Sequence, residues 1–206
     1  LGRAYHVRML EGKESFDRRY AVEPDCDKRT KDGKQIYAEW KALNPNAEPI
    51  DIETMTEIEK AADRVNIFNG GEPEVTFLWE DEETGVPMKA RVDYLKDGHI
   101  YDLKTFSGAD MDIDRLLVNH IVKYRYYTQA AVYGSVLPDS TFKFVFQQTG
   151  GILNTIVREF PRNLFLYQKG VNNMRHGIRK FADMYAKWGT EPWFDEFEEL
   201  DRQNAA

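Results

Sequence analysis

Cysteine is almost absent: Cys26 is the only one. A single thiol excludes an internal disulfide framework, a cysteine-built zinc site and a cysteine-ligated iron–sulfur cluster. No conventional Cys/His nucleophile arrangement surrounds it, and a reduced thiol suits a reducing cytoplasm. Long apolar runs are missing too. No stretch approaches the ~18 residues of a membrane span, so the sequence predicts no integral membrane protein. It shows no signal peptide, no internal repeat and no Gly/Ser-rich linker. The chain starts at Leu1 rather than Met and reads as an excised fragment, the C-terminal piece of a longer chain.

What is present is ordinary globular composition. The 206 residues are 42% hydrophobic and 31% charged, which fits one domain with a real core. The net charge of −7 argues against indiscriminate coating of nucleic acid. Its distribution is uneven. Residues 1–41 carry +2, residues 42–152 carry −9, residues 153–189 carry +5 and the tail 190–206 carries −5. An acidic middle can hold metal and basic flanks can hold phosphates, although solvated helix faces are the commoner cause of such blocks.

The order of elements is α, β-meander, α, β-hairpin, α. A short helix is expected near 3–11, a polar loop over 25–34 and a helix over 34–43. A stronger helix is expected over 52–68, capped by Asp51 and stopped at Asn69-Gly70-Gly71. Strands are expected at Val75–Trp79, Met88–Leu95 and His99–Thr105, then helix around 112–136. A hairpin near 142–148 and 152–160 follows, and a long helix from Pro161 to Trp188. The fold class is α/β of the mixed α+β kind: a central mixed sheet with an antiparallel meander, flanked by helices.

The chemistry starts at the Asp97-Gly98 turn. A two-residue loop sets Lys96 against His99, Leu95 against Ile100, Tyr94 against Tyr101 and Asp93 against Asp102. Opposed residues share a face, so two carboxylates meet there and raise one another's pKa unless a cation intervenes. Lys104, two residues beyond Asp102, projects from the same face. If 82–85 is a four-residue loop, Glu74 faces Asp93, and three acids line up across three strands.

Hard oxygen ligands suit Mg²⁺ or Mn²⁺. Such a cation activates water and polarises a phosphoryl oxygen, and an adjacent ammonium positions the attacking water. That describes a phosphodiester-cleaving site. Taken singly, an Asp or Lys on a strand is more often part of a solvated ion pair. Three matched positions in one register weaken that reading.

The segments Glu74-Val-Thr-Phe-Leu-Trp79, Lys89-Ala-Arg-Val-Asp-Tyr-Leu95 and Ile100-Tyr-Asp-Leu-Lys-Thr105 resemble the PD-(D/E)XK nuclease superfamily. The nearest likeness is to the RecE-type and RecB-like exonucleases of phage recombination systems. Gly2-Arg-Ala-Tyr-His6 is similar to a G-x-A-x-H segment of that family, and Tyr124–Tyr133 to its helix with a Q-x-x-x-Y signature. The likeness runs from residue 2 to about residue 134, and the ordered set is specific where a lone D-x-K is not.

The resemblance implies a restriction-endonuclease-like core filling residues 1–206 as a single nuclease domain. It implies metal ligation by Asp93, Asp102, the Leu103 main-chain carbonyl and His6, with Glu74 on a second Mg²⁺ or Mn²⁺ or its water. Lys104 would orient or deprotonate the attacking water, and Gln129 and Tyr133 would brace the site. Arg91, Thr105 and Tyr133 are the expected DNA contacts nearby. The implied activity is a Mg²⁺-dependent exonuclease digesting linear duplex DNA from the 5′ end. It would leave 3′ strands for a single-strand annealing protein. A ring-shaped homo-oligomer, trimer or tetramer, in a bacterial cytoplasm and of phage or prophage origin goes with it.

A separate expectation concerns Lys28–Lys34. Arg29, Lys31 and Lys34, with Thr30 and Gly33, can grip a DNA-end phosphate, and a merely soluble loop is the equal alternative. His99, His120 and His176 have no motif role and read as structural. Tyr124, Tyr126 and Tyr127 read as packing and rim residues. Other functions stay open: an endonuclease or repair nuclease of the same superfamily, a DNA-binding module with a dead nuclease fold, or a glycosidase. The last leaves Lys104 without a role.

Overall fold

The Asp97-Gly98 turn forms as its sequence dictates, with φ of 50° and 75°, both left-handed as a two-residue hairpin of this kind demands. It joins β4 (Pro87–Lys96) to β5 (His99–Ser107), and the pairs Lys96–His99, Leu95–Ile100 and Tyr94–Tyr101 follow. A computed structural model describes residues 1–108, 112–191 and 193; the acidic tail beyond lies outside the described residues.

The N-terminal layer comprises α1 (Gly2–His6), a π-helical turn (Val7–Glu11), α2 (Lys13–Arg19), β1 (Tyr20–Val22), α3 (Lys31–Leu43), β2 (Glu48–Ile50) and α4 (Ile52–Arg64). Strands β1 and β2 make a small parallel pair. The main sheet adds β3 (Glu72–Glu80), then β6 (Thr141–Thr149) and β7 (Thr155–Glu159), in the order β3-β4-β5-β6-β7. Only β5 and β6 run parallel within it. Their connection is a helical crossover, as parallel neighbours require: α5 (Ile113–Lys123) and α6 (Tyr126–Val136). Helix α7 (Phe165–Trp188) closes the described fold.

Two cores cover the two faces of the sheet. Tyr101, Leu103 and Val145 pack with Ala4, Tyr5, Phe16 and Ile58 on one side. Ile100, Phe106, Phe142, Phe144 and Phe146 pack with Leu117, Ile121, Tyr127 and Ala130 on the other. Alternation along β5 therefore puts Asp102 and Lys104 on the α5–α6 side. Strand β4 breaks the alternation. Val92 and Tyr94, two residues apart, enter opposite cores, which a regular strand forbids. The irregularity falls at Asp93 and at its neighbour Glu74, which has φ of 58°.

Several expected boundaries move. Helix α3 starts at Lys31, inside the expected loop, because Thr30 Oγ1 accepts from Gly33 N at 3.0 Å as its N-cap. Asp51 caps α4 as expected, accepting from Thr54 N at 2.7 Å. The helix ends at Arg64, not Phe68, because Val65 turns extended. That turn sends Phe68 against Tyr94, 5.2 Å between ring centres. The helix expected over 112–136 is two helices, broken where Arg125 takes a left-handed conformation. Helix α7 starts at Phe165 rather than Pro161. The intervening Arg162 instead reaches the end of α6, donating to Gly134 O at 3.0 Å and Leu137 O at 2.9 Å, a cation at a helix C-terminus.

Candidate active site

The site lies where β4 and β5 separate. In an antiparallel hairpin, hydrogen-bonded pairs alternate with non-bonded ones. After Tyr94–Tyr101 the next bonded pair would be Val92–Leu103. It does not form. Leu103 N donates instead to Asp93 Oδ2 at 2.8 Å. The expected facing of Asp93 and Asp102 as a regular cross-strand pair is therefore corrected. The strands fork, and the Asp93 carboxylate fills the opening.

Glu74 and Asp93 keep the expected numerical register, since Pro73 pairs with Tyr94 and Val75 with Val92. They form no ladder pair themselves, because Glu74 is left-handed. The kink brings one ligand atom each of Glu74, Asp93 and His6 within 4.8 Å of one another. Two acids of the expected row are thus joined by the expected His6, and the third, Asp102, lies next to them. His6 comes from α1, which packs on β5: a Cβ on Gly2 would stand 3.2 Å from Thr105 Oγ1.

Asp102 sits beside this group, wholly buried. Lys104 Nζ lies 2.6 Å from its Oδ2. The contact pairs the two charges at Oδ2, and Asp102 Oδ1 has no hydrogen-bond donor. The Lys104 ammonium also lies 4.8 Å from the centre of the Tyr126 ring, within cation–π range. Tyr126 is the site contact that sequence reading assigned to packing; only its place in the tyrosine-rich stretch before Gln129 hinted at more.

Electrostatics follow from burial. Burial raises the carboxyls of Asp93 and Asp102 above the ordinary range, with Lys104 pulling the other way. Burial, then the Lys104 charge, holds the His6 imidazole below its usual value. His6 is therefore neutral at physiological pH and has a lone pair to offer. The Leu103 main chain, close to the His6 ring, opposes that shift.

The remaining expected residues divide. Gln129 Nε2 donates to Tyr133 Oη at 2.9 Å, and Tyr133 Oη donates to Arg91 O at 2.7 Å. Burial pushes the Tyr133 hydroxyl up to about 12, so it stays a donor. Together they tie α6 to β4 two residues before Asp93. The Arg91 side chain is exposed and its Nε lies 2.6 Å from Glu74 Oε2. Arg29 pairs with Asp27 at 2.9 Å. Lys31 and Lys34 are exposed on α3. Thr30 and Gly33, expected to help grip a phosphate, are engaged in the α3 cap: Thr30 Oγ1 also donates to Asp27 O at 2.9 Å.

The donor set fits a hard divalent cation. Ligands on opposite sides of Mg²⁺ or Mn²⁺ stand roughly 4.2 Å apart, within the spread of the His6, Glu74 and Asp93 atoms. Asp102 Oδ1, wholly buried and without a donor, leaves an acceptor that a cation can fill. Among the described residues this is the one group of three or more potential ligands.

Comparison with known proteins agrees with the fold. A crystal structure of a candidate exonuclease from Eubacterium rectale is matched at TM-score 0.54 and 16% identity, covering 83% of this chain and 69% of that one. A second solved structure, SSO0001, matches at TM-score 0.36 and 17% identity over 71% of this chain and 63% of that one, too distant to carry an argument. No curated protein matches significantly. A family model matches residues 1–187. The chain therefore belongs to the family of the PDDEXK-like domain of unknown function (DUF3799).

Proposed function

We propose that the protein is a divalent-metal-dependent deoxyribonuclease, an exonuclease that digests linear duplex DNA from the 5′ end. The observation that carries the reading is the fork: Glu74, Asp93 and His6 grouped within 4.8 Å, with the buried Asp102 carboxylate and its partner, the Lys104 ammonium, beside them. The exonuclease choice within the nuclease class draws support from the description of the Eubacterium rectale protein. The same reading takes residues 1–206 as one nuclease domain. It makes the product a 3′ single strand for an annealing protein, from a ring-forming enzyme in a bacterial cytoplasm.

Asp93, Asp102, Glu74, His6 and the Leu103 carbonyl would hold Mg²⁺ or Mn²⁺, which supplies a water of lowered pKa and a polarised phosphoryl oxygen. Lys104, an ammonium held between Asp102 and the Tyr126 ring, orients the attacking water, whose proton passes to solvent. The water oxygen bonds to phosphorus and the P–O3′ bond breaks. The O3′ leaving group takes a proton, and the downstream product keeps a 5′-phosphate. Gln129 and Tyr133 hold β4 at Arg91 and so fix Asp93. Arg91 is exposed at the rim, where a phosphate can replace Glu74 as its partner.

The test is cleavage of linear duplex DNA, labelled at one 5′ end, with Mg²⁺, against a covalently closed circle. Wild type should degrade the linear DNA and spare the circle, and Lys104→Ala should be inactive. A cut circle would replace the exonuclease by an endonuclease. Binding without any cleavage would leave a DNA-binding module.

A further inference from the structure

Beside the catalytic lysine the chain contains an aromatic step that the proposed chemistry does not use. The Tyr126 ring carries the Lys104 ammonium 4.8 Å from its centre. Tyr124 is stacked on Tyr126, with centroids 5.5 Å apart and planes 24° apart. The His120 ring stands edge-on to Tyr124 at 5.5 Å. A line of rings thus leads from the site outward, and Tyr124 at its outer end is 50% exposed.

The backbone makes this stack possible. Residues i and i+2 of a continuous helix point to opposite sides and cannot stack. Tyr124 and Tyr126 do so because Arg125 between them is left-handed, with φ of 55° and ψ of 34°. A non-glycine residue in that region is strained, and such strain collects at functional sites.

The surroundings suit a nucleotide. Lys123 and Arg125 are exposed, and Lys123 Nζ lies over the Tyr124 ring at 5.2 Å. A flexible lysine there can yield the ring face to a base and move to the phosphate. Aromatic faces flanked by cations bind single-stranded nucleic acid with little sequence preference, because every base offers a π-face.

We infer that Tyr124, backed by Tyr126, is a stacking platform for an unpaired terminal nucleotide of the DNA strand entering the site. The inference rests on the nuclease reading above and deepens it: the substrate end is frayed, not fully paired, when it reaches Lys104.

The experiment uses two duplexes, one with 2-aminopurine as an unpaired 5′-terminal nucleotide and one with it as an unpaired 3′-terminal nucleotide. Fluorescence and affinity are read with Ca²⁺ in place of Mg²⁺. Wild type should quench one of the two probes. Tyr124→Ala should lose that quenching and bind the same duplex about 5- to 100-fold more weakly. Tyr124→Trp should restore both. A duplex whose ends are cross-linked shut should bind wild type and Tyr124→Ala equally. If Tyr124→Ala keeps quenching and affinity, or if wild type cleaves DNA but quenches neither probe, this inference alone is overturned. If wild type neither binds nor cleaves DNA, the nuclease reading falls and the platform with it.

Discussion

Leu103 N donates to Asp93 Oδ2 at 2.8 Å, in place of the main-chain bond that a regular hairpin would give it at Val92. One side-chain acceptor thus substitutes for a ladder partner and holds the two strands apart. The bond makes Asp93 a structural wedge beside its proposed role as a metal ligand, and substitution separates the two. Asp93→Asn keeps an oxygen that can accept from Leu103 but loses the charge. It should fold as wild type and lose metal-dependent cleavage by at least about 100-fold, since outer-shell changes alone cost 10–100-fold. Asp93→Leu loses the acceptor as well and should also unfold earlier. Thermal unfolding and Mn²⁺ titration calorimetry on both variants check the pair.

The buried acids set a pH dependence. Burial raises Asp93 and Asp102 above the ordinary carboxylate range, up to about 6. The folded protein therefore binds protons more tightly than the unfolded chain does. This contribution to stability is full below the unfolded value near 4, and it is lost as pH rises through the folded value. With EDTA, the wild-type melting temperature should fall relative to that of Asp102→Asn between about pH 4 and about pH 7, the opposite contribution of the lowered His6 being present in both. Mg²⁺ should reverse the fall by binding only the folded state. Asp102→Asn should flatten the EDTA profile and remove most of the Mg²⁺ response. A wild-type EDTA profile that does not fall relative to Asp102→Asn over this range would contradict the raised carboxyls.

Much of this architecture is readable in the residues. The Asp97-Gly98 turn fixes the β4–β5 register, and Asp51 and Gly189 mark helix ends, because short-range turn and cap chemistry needs no tertiary partner. The fork was not readable. Nothing local at Glu74 or Asp93 signals a left-handed residue or a side chain standing in for a backbone group; both follow from two cores competing for Val92 and Tyr94. Likewise no Gly or Pro marks the break at Arg125, where the stacking of Tyr124 on Tyr126 and of Tyr126 on Lys104 outweighs helix continuity. His6 reached the site only through resemblance, since it lies in a different layer and no spacing rule links it to β4.

A second buried acid tests the hold of α7 on the sheet. Asp81 is 3% exposed and lies 2.5 Å from an Arg175 guanidinium nitrogen. Burial pushes its carboxyl up, but Arg175 and Thr84 outweigh it and keep it below the usual range. Arg175→Ala would strand this charge. Breaking a buried pair costs about 3–5 kcal/mol, and the partial exposure of Arg175 argues for the lower end. Arg179→Ala removes the exposed pair with Glu83 at 2.5 Å, which solvent screens, and should cost much less. Urea unfolding of the two variants should therefore differ clearly.

Helix α7 also offers two glycines with opposite expected outcomes. A Cβ at Gly170 would stand 2.1 Å from the carbonyl oxygen of Tyr127 and 3.2 Å from the Ala131 Cβ. The obstacle is the backbone of α6, which no rotamer change can clear, so α6 and α7 must separate. A Cβ at Gly177, two turns on, meets nothing within 4 Å. Alanine at either position gains the same helix propensity, about 1 kcal/mol over glycine. At Gly177 nothing opposes the gain, and Gly177→Ala should stabilise by about 0.5–1 kcal/mol. At Gly170 the overpacking, typically about 1–3 kcal/mol and more against rigid backbone, exceeds it, and Gly170→Ala should destabilise. Because α6 carries Gln129 and Tyr133, the Gly170→Ala protein should also lose cleavage activity below its melting temperature, while Gly177→Ala keeps it. Melting curves and initial rates on the two variants measure both effects, and equal melting temperatures would refute the close α6–α7 contact.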